Sequence, residues 1–115
     1  MKALRHALDG LAHLFRTQGN ARIEAAAALL AVALGALLGL RDWEWLVLVL
    51  QIALVIALEA VNTAIEALCD EVTRERRPRI KAAKDVAAGA VLIAAAASLV
   101  TGAILFLPKL LALVS

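Results

Sequence analysis

The chain is poor in the residue types on which several common functions depend. It has one cysteine, Cys69, so no internal disulfide can staple it, and no histidine stands near that thiol in sequence to make it a nucleophile. His6 and His13 are the only two histidines; their separation of two helical turns is poor for holding one metal ion, and surface positions suit them better. Aromatics amount to 3 %, and no basic run is interleaved with them, so the usual footprint of a nucleic-acid binder is missing. Neither Gly-x-x-x-x-Gly-Lys nor Gly-x-Gly-x-x-Gly occurs, which rules out a nucleotide site built on a glycine-rich phosphate loop of those kinds. The N-terminus carries charge, but no apolar block of signal length precedes Asp9, His13 and Arg16, and no cleaved leader is expected there.

Apolar residues are what the chain has in excess. They make up 63 % of its 115 residues, against roughly 45–50 % in soluble domains, and mean hydropathy is +0.88. The charged residues, 19 % with a net +2, gather at segment ends, where they suit lipid headgroups. The expectation is a small integral membrane protein, all-α, with residues 1–115 forming a single membrane-embedded domain.

In chain order, residues 2–16 place Leu4, Ala7, Leu8, Leu11, Leu14 and Phe15 on one helical face and mostly charged residues on the other. That is an amphipathic surface helix able to lie in the membrane interface. Thr17-Gln18-Gly19-Asn20 breaks the pattern. An apolar run then gives a first span at about 23–40, just long enough to cross, with Gly35-x-x-x-Gly39 permitting close helix approach. Arg41 to Trp45 reads as a tight polar hairpin whose two tryptophans suit the interface. A second span follows at about 45–68, a charged loop from Glu71 to Lys84, and a third span at about 84–107, ended by Pro108 and Lys109. Pro78 is a breaker or a first-turn residue. Lys and Arg number four in the first 22 residues, one in the first loop, six in the second loop and one in the tail. The excess marks the cytoplasmic side, so the N-terminus and second loop face the cytoplasm.

The second span carries the unusual chemistry. From Glu59, offsets of 7 and 11 reach Glu66 and Asp70, and both return to within about 20° of the start at 100° per residue. The three acids therefore form one stripe, with Asn62 about a turn above Glu59. Carboxylates near a helix end can simply mark where a span meets water, and that reading suits Asp70 best. Glu59 has apolar neighbours on both sides, and a charge at such depth costs roughly 2.5–3.5 kcal/mol on insertion scales, which makes it a functional candidate by default. Carboxylate and amide oxygens are also the ligands magnesium prefers, shared with substrate phosphates, and Lys84 with the loop arginines is suited to neutralise a transferring phosphoryl group.

Glu59-x-x-Asn62-Thr63-Ala64-Ile65-Glu66-Ala67-x-x-Asp70, followed by Ala83-Lys84-Asp85-Val86-Ala87-Ala88-Gly89-Ala90-Val91-Leu92, resembles the signature of the small prokaryotic diacylglycerol kinases, which include undecaprenol kinases. The likeness runs from about Gly10 to Gly102. It implies a homotrimer in a prokaryotic plasma membrane, with composite sites at the cytoplasmic interface that transfer the γ-phosphate of magnesium-ATP to a lipid hydroxyl. By the resemblance, Glu59 is the general base and meets the lipid, Asn62 supports it, Glu66 holds magnesium, and Asp70, Glu75, Lys84 and Asp85 belong to the nucleotide side. The chain departs from the pattern in three places. Gln18 stands where the family has a second metal-binding Glu; its carbonyl can still ligate magnesium next to the nucleotide, and Glu24 is available to assist. Glu75-Arg76-Arg77-Pro78 replaces a loop that usually carries an aromatic, and Arg77 is suited to hold phosphates instead. Ala88 stands where the diacylglycerol-specific branch often has Ser, which tilts the substrate toward undecaprenol. The competing expectation is a non-catalytic oligomeric scaffold or channel-like bundle with Glu59 and Asn62 lining a polar seam; nucleotide binding separates the two.

Overall fold

A computed structural model describes residues 1–115, arranged as four α-helices: α1 (Lys2–Thr17), α2 (Gly19–Leu38), α3 (Asp42–Val72) and α4 (Pro78–Val114). α3 and α4 form the principal packed pair; α2 lies mainly against α3, and α1 touches α2 and α3. The last three helices are each long and apolar enough to cross a membrane. At 1.5 Å per residue, the 31 residues of α3 and the 37 of α4 run about 46 and 55 Å, well beyond a hydrocarbon core of about 30 Å. Their ends must therefore stand in the headgroup region or in water, and the charged segment joining α3 to α4 is one such end.

Each junction is tighter than the sequence pattern suggests. Only Gln18 separates α1 from α2, with extended backbone at φ −111° and ψ 110°. The break is this short because Arg22, in the first turn of α2, donates from Nη1 to the carbonyls of Phe15 and Arg16 at 2.9 Å each. Those are carbonyls that a helix C-terminus leaves without partners. Gly19 and Asn20, expected in the turn, are already helical.

The second junction rests on Gly39, the one residue with positive φ (76°), a left-handed cap that glycine adopts without steric cost. Its N–H donates to the Gly35 carbonyl at 2.9 Å, as does that of Leu40 at 3.3 Å. A Cβ on Gly35 would stand 2.7 Å from Leu40 Cδ1 and 3.1 Å from the Trp45 ring. The Gly35-x-x-x-Gly39 pair thus lets the chain fold back on itself here. α3 begins at Asp42, so Trp43 and Trp45 are helical and the expected hairpin contracts to residues 39–41.

Leu40, Leu48, Leu105 and Phe106 form a buried apolar cluster beside this turn. Glu44 joins it, only 5 % exposed. One of its carboxylate oxygens accepts the Arg41 backbone N–H at 3.0 Å, and the other meets Lys109 Nζ at 3.2 Å. Lys109 can reach it because α4 does not stop where the sequence suggests. The helix runs through Pro108 to Val114. Proline removes one ladder donor and crowds the preceding turn, a defect that membrane helices tolerate when neighbours compensate; the Lys109–Glu44 contact anchors the segment just past it. At the other junction, Pro78 opens α4 as a first-turn residue, where its missing N–H costs nothing. Lys84 and Asp85, expected to open the third helix, therefore sit more than a turn inside it.

Candidate active site

Glu59 is the best-buried carboxylate of the chain, 2 % exposed, on the face of α3 that also buries Leu48 and Val55. Its Oε2 has no hydrogen-bond partner, and the same is true of Asn62 Oδ1 and Thr63 Oγ1 on α3 and of Glu24 Oε2 on α2. Buried oxygens left unpaired cost on the order of 1–3 kcal/mol each, so four of them near one helix pair are unusual in a structural core. Gln51, two turns earlier on α3, shows the contrast. It donates to the Ala94 carbonyl at 3.2 Å and accepts from Thr101 Oγ1 at 3.4 Å, which makes it a satisfied clamp between α3 and α4.

Toward the charged loop, Glu66 is half-buried and lies within charge-interaction range of both Glu59 and Lys84. Lys84 Nζ donates to Asp70 Oδ1 at 2.6 Å, joining α4 to the end of α3. Asp85 pairs instead with Lys81, one turn back on α4, at 2.6 Å. Glu75 and Arg77 face each other at 3.6 Å in the exposed connection, where Thr73 Oγ1 accepts the Glu75 N–H at 3.0 Å. Ala88 is exposed on α4, beside buried Ala87. Gln18 is half-buried at the α1–α2 break, its Nε2 donating only to Thr17 Oγ1 at 3.4 Å.

The residues read from the sequence thus fall into groups. Glu59 and Asn62 lie together, joined by Thr63 and Glu24. Glu66, Asp70 and Lys84 form a second cluster further along α3. Glu75 and Arg77 pair with each other and Asp85 pairs with Lys81, and none of these pairs includes a member of either cluster. The sequence gives no weight to Thr63 or Gln51, whose polarity inside an apolar stretch is the only available signal, and it treats Glu24 merely as an accessory.

Two grooves flank α3. One, about 220 Å³, runs between α2, α3 and α4 and includes Glu24, Gln51, Ser98 and Thr101 in its lining. The other, about 480 Å³, lies between α3 and α4 and is apolar except for Asn62 and Arg79.

No three His, Cys, Asp or Glu side chains converge to hold a metal. Magnesium does not require such a cage, since it commonly takes one or two protein oxygens and completes its shell with phosphates and water. Glu66 forms no ion pair, and Gln18 Oε1 accepts no hydrogen bond. Each therefore offers a free oxygen acceptor of the kind that magnesium takes.

The model of the prokaryotic diacylglycerol kinase family matches residues 5–106. The chain belongs to that family. It is 42 % identical over 109 residues to an undecaprenol kinase of Bacillus subtilis, covering 95 % of this chain and 89 % of that protein. It is 40 % identical over 112 residues to a diacylglycerol kinase of Synechocystis, covering 96 % of this chain and 64 % of that longer protein. A diacylglycerol kinase of Haemophilus influenzae is 31 % identical over 107 residues, 92 % of this chain and 91 % of its own. Membership makes the chain a lipid kinase, and with its three membrane-length apolar helices an integral membrane protein. A non-catalytic scaffold or channel is not favoured.

Proposed function

We propose that this protein, a single domain over residues 1–115, phosphorylates a membrane lipid alcohol of the undecaprenol type, with ATP as donor and magnesium as cofactor, at the cytoplasmic face. The observation that carries the proposal is Glu59: a carboxylate 2 % exposed with an unpartnered oxygen, about three turns from the Asp70–Lys84 pair along the same stripe of a membrane-length helix. A lipid hydroxyl reaching this depth from the bilayer meets a fixed proton acceptor from which water is excluded.

Glu59 takes the hydroxyl proton as the alcohol oxygen attacks the γ-phosphorus, whose bond to the β–γ bridging oxygen breaks so that ADP leaves. Asn62 and Thr63, whose oxygens lack partners, are placed to orient the alcohol. Asp70 holds the Lys84 ammonium at 2.6 Å, so that positive charge waits at a fixed point for the phosphoryl group. Arg77 and Glu75 in the loop, with Asp85 on α4, belong to the nucleotide side. Glu66 and Gln18 would hold magnesium, which neutralises charge on the phosphates when bound. Ala88, exposed on α4, leaves the lipid side free of a hydroxyl and favours a prenyl alcohol over diacylglycerol; the similarity to an undecaprenol kinase supports the same preference.

The distribution of Lys and Arg supports a cytoplasmic N-terminus and second loop. α1 is proposed to lie in the interface plane, its Leu4, Leu8 and Leu11 exposed and able to enter the lipid. Of the most apolar stretch in α2, α3 and α4, only 11, 22 and 17 % respectively is buried within one chain. That leaves ample apolar surface for lipid and for the neighbouring copies of a homotrimer. The experiment is direct: purified protein in mixed micelles with labelled ATP and magnesium, offered diacylglycerol and undecaprenol separately. Label entering undecaprenol faster supports the proposal; label in neither lipid overturns it.

A further inference from the structure

A base that is 2 % exposed can take a proton but cannot hand it directly to water, and it must lose that proton before the next turnover. Glu24, on α2, lies within charge-interaction range of Glu59, and each presents a buried, unpartnered Oε2. No cation is paired with either carboxylate. Arg22, nearest to Glu24 in sequence, is turned to the carbonyls that end α1. The other charge acting on Glu59 is Glu66 on its own helix. The groups α4 offers along the adjoining groove are Ser98 and Thr101, which do not titrate.

Glu24 also borders the 220 Å³ groove between α2, α3 and α4, where Gln51, Ser98 and Thr101 supply polar atoms. That space is large enough for several waters, and its polar groups give them partners. Glu59 does not border the groove, although Val55 and Ile56, about one turn away, do. Glu24 therefore borders, as Glu59 does not, a groove with several polar side chains in its lining.

We propose that Glu24 is the proton-accepting partner of Glu59: after phosphoryl transfer it receives the proton that Glu59 took from the lipid hydroxyl and releases it to water in the α2–α3–α4 groove. The O–H bond of protonated Glu59 breaks, an O–H bond forms on the Glu24 carboxylate, and water then takes the proton, leaving both carboxylates as they began. This inference rests on Glu59 being the base.

The test compares Glu24→Gln, Glu24→Ala and Glu24→Asp with Glu59→Gln in micelles, reading kcat, KM for ATP, the magnesium titration, the pH dependence of kcat and the thermal midpoint. Glu24→Gln lowers kcat about tenfold or more with KM and the magnesium midpoint unchanged, and its pH profile differs from that of the parent. Glu24→Asp keeps most of the rate. Imidazole, a small diffusible proton carrier that the groove can admit, restores much of the rate to Glu24→Ala and none to Glu59→Gln. A Glu24→Gln enzyme with parental kcat and pH profile overturns the inference. So does a loss that follows the magnesium midpoint, which would make Glu24 a metal ligand, or a loss that imidazole cannot rescue and that accompanies a lowered thermal midpoint. If Glu59→Gln stays active, the base assignment itself fails, whatever Glu24 does.

Discussion

Replacing Glu59 with Gln removes one negative charge while keeping the side chain's size and one carbonyl oxygen. The native carboxylate is 2 % exposed and one of its oxygens has no donor, so no ion pair is broken by the change. The burden of holding a charge away from water is relieved instead. The thermal midpoint is therefore expected to stay level or rise, and the assembled protein to elute from a sizing column as the parent does. Catalysis is expected to respond in the opposite way. A positioned general base contributes typically 10²–10⁴-fold, and with water excluded no solvent molecule can substitute, so kcat should fall by at least about a hundredfold. KM for ATP should move little, because the Asp70–Lys84 contact lies about three turns further along α3. Phosphoryl transfer is measured with labelled ATP in mixed micelles, and unfolding by a thermal scan in the same detergent. A kcat within about fivefold of the parent would refute the reasoning, because the buried carboxylate would then be a tolerated passenger. A loss of rate with a lowered midpoint would equally refute it, because the residue would be structural.

Glu66→Gln is expected to raise the magnesium concentration at half-maximal rate by about tenfold or more, while Gln18→Glu, which adds the missing charge, is expected to lower it several-fold; unchanged magnesium titrations would remove both residues from the metal. Lys84→Met is expected to raise KM for ATP about tenfold or more and to lower kcat, with a small change in thermal midpoint because both members of its pair are more than a third exposed; unaltered ATP kinetics would place Lys84 outside the nucleotide site. Gly35→Ala is expected to cost about 1–3 kcal/mol, since its Cβ would stand 2.7 Å from Leu40 Cδ1, and a denaturation midpoint equal to the parent's would show that the Leu40 side chain moves aside freely.

How much of this was legible in the sequence follows from the range over which each interaction acts. The membrane-length helices are written in runs of apolar residues, a local signal. The stripe of Glu59, Glu66 and Asp70 follows from helix periodicity alone, and the two long motifs resemble the family that the comparison then shows. The junctions were less legible because they are closed by contacts across a break in pattern. Arg22 reaches back to the end of α1, and Gly39 and Leu40 return to Gly35. Pro108 reads as a stop because proline is one in water; the buried Glu44 that Lys109 meets on α3 lies 65 residues away in sequence. Glu24 shows the same limit at the site. In sequence it is an acid at the margin of an apolar run, indistinguishable from a headgroup contact. Only the packing of α2 on α3 brings it within range of Glu59 and leaves an oxygen of each without a partner. A polar atom buried without a partner is a debt that folding alone does not explain. Where two such carboxylates lie within charge-interaction range and one of them borders a groove with polar side chains in its lining, the reaction they are proposed to serve supplies the explanation.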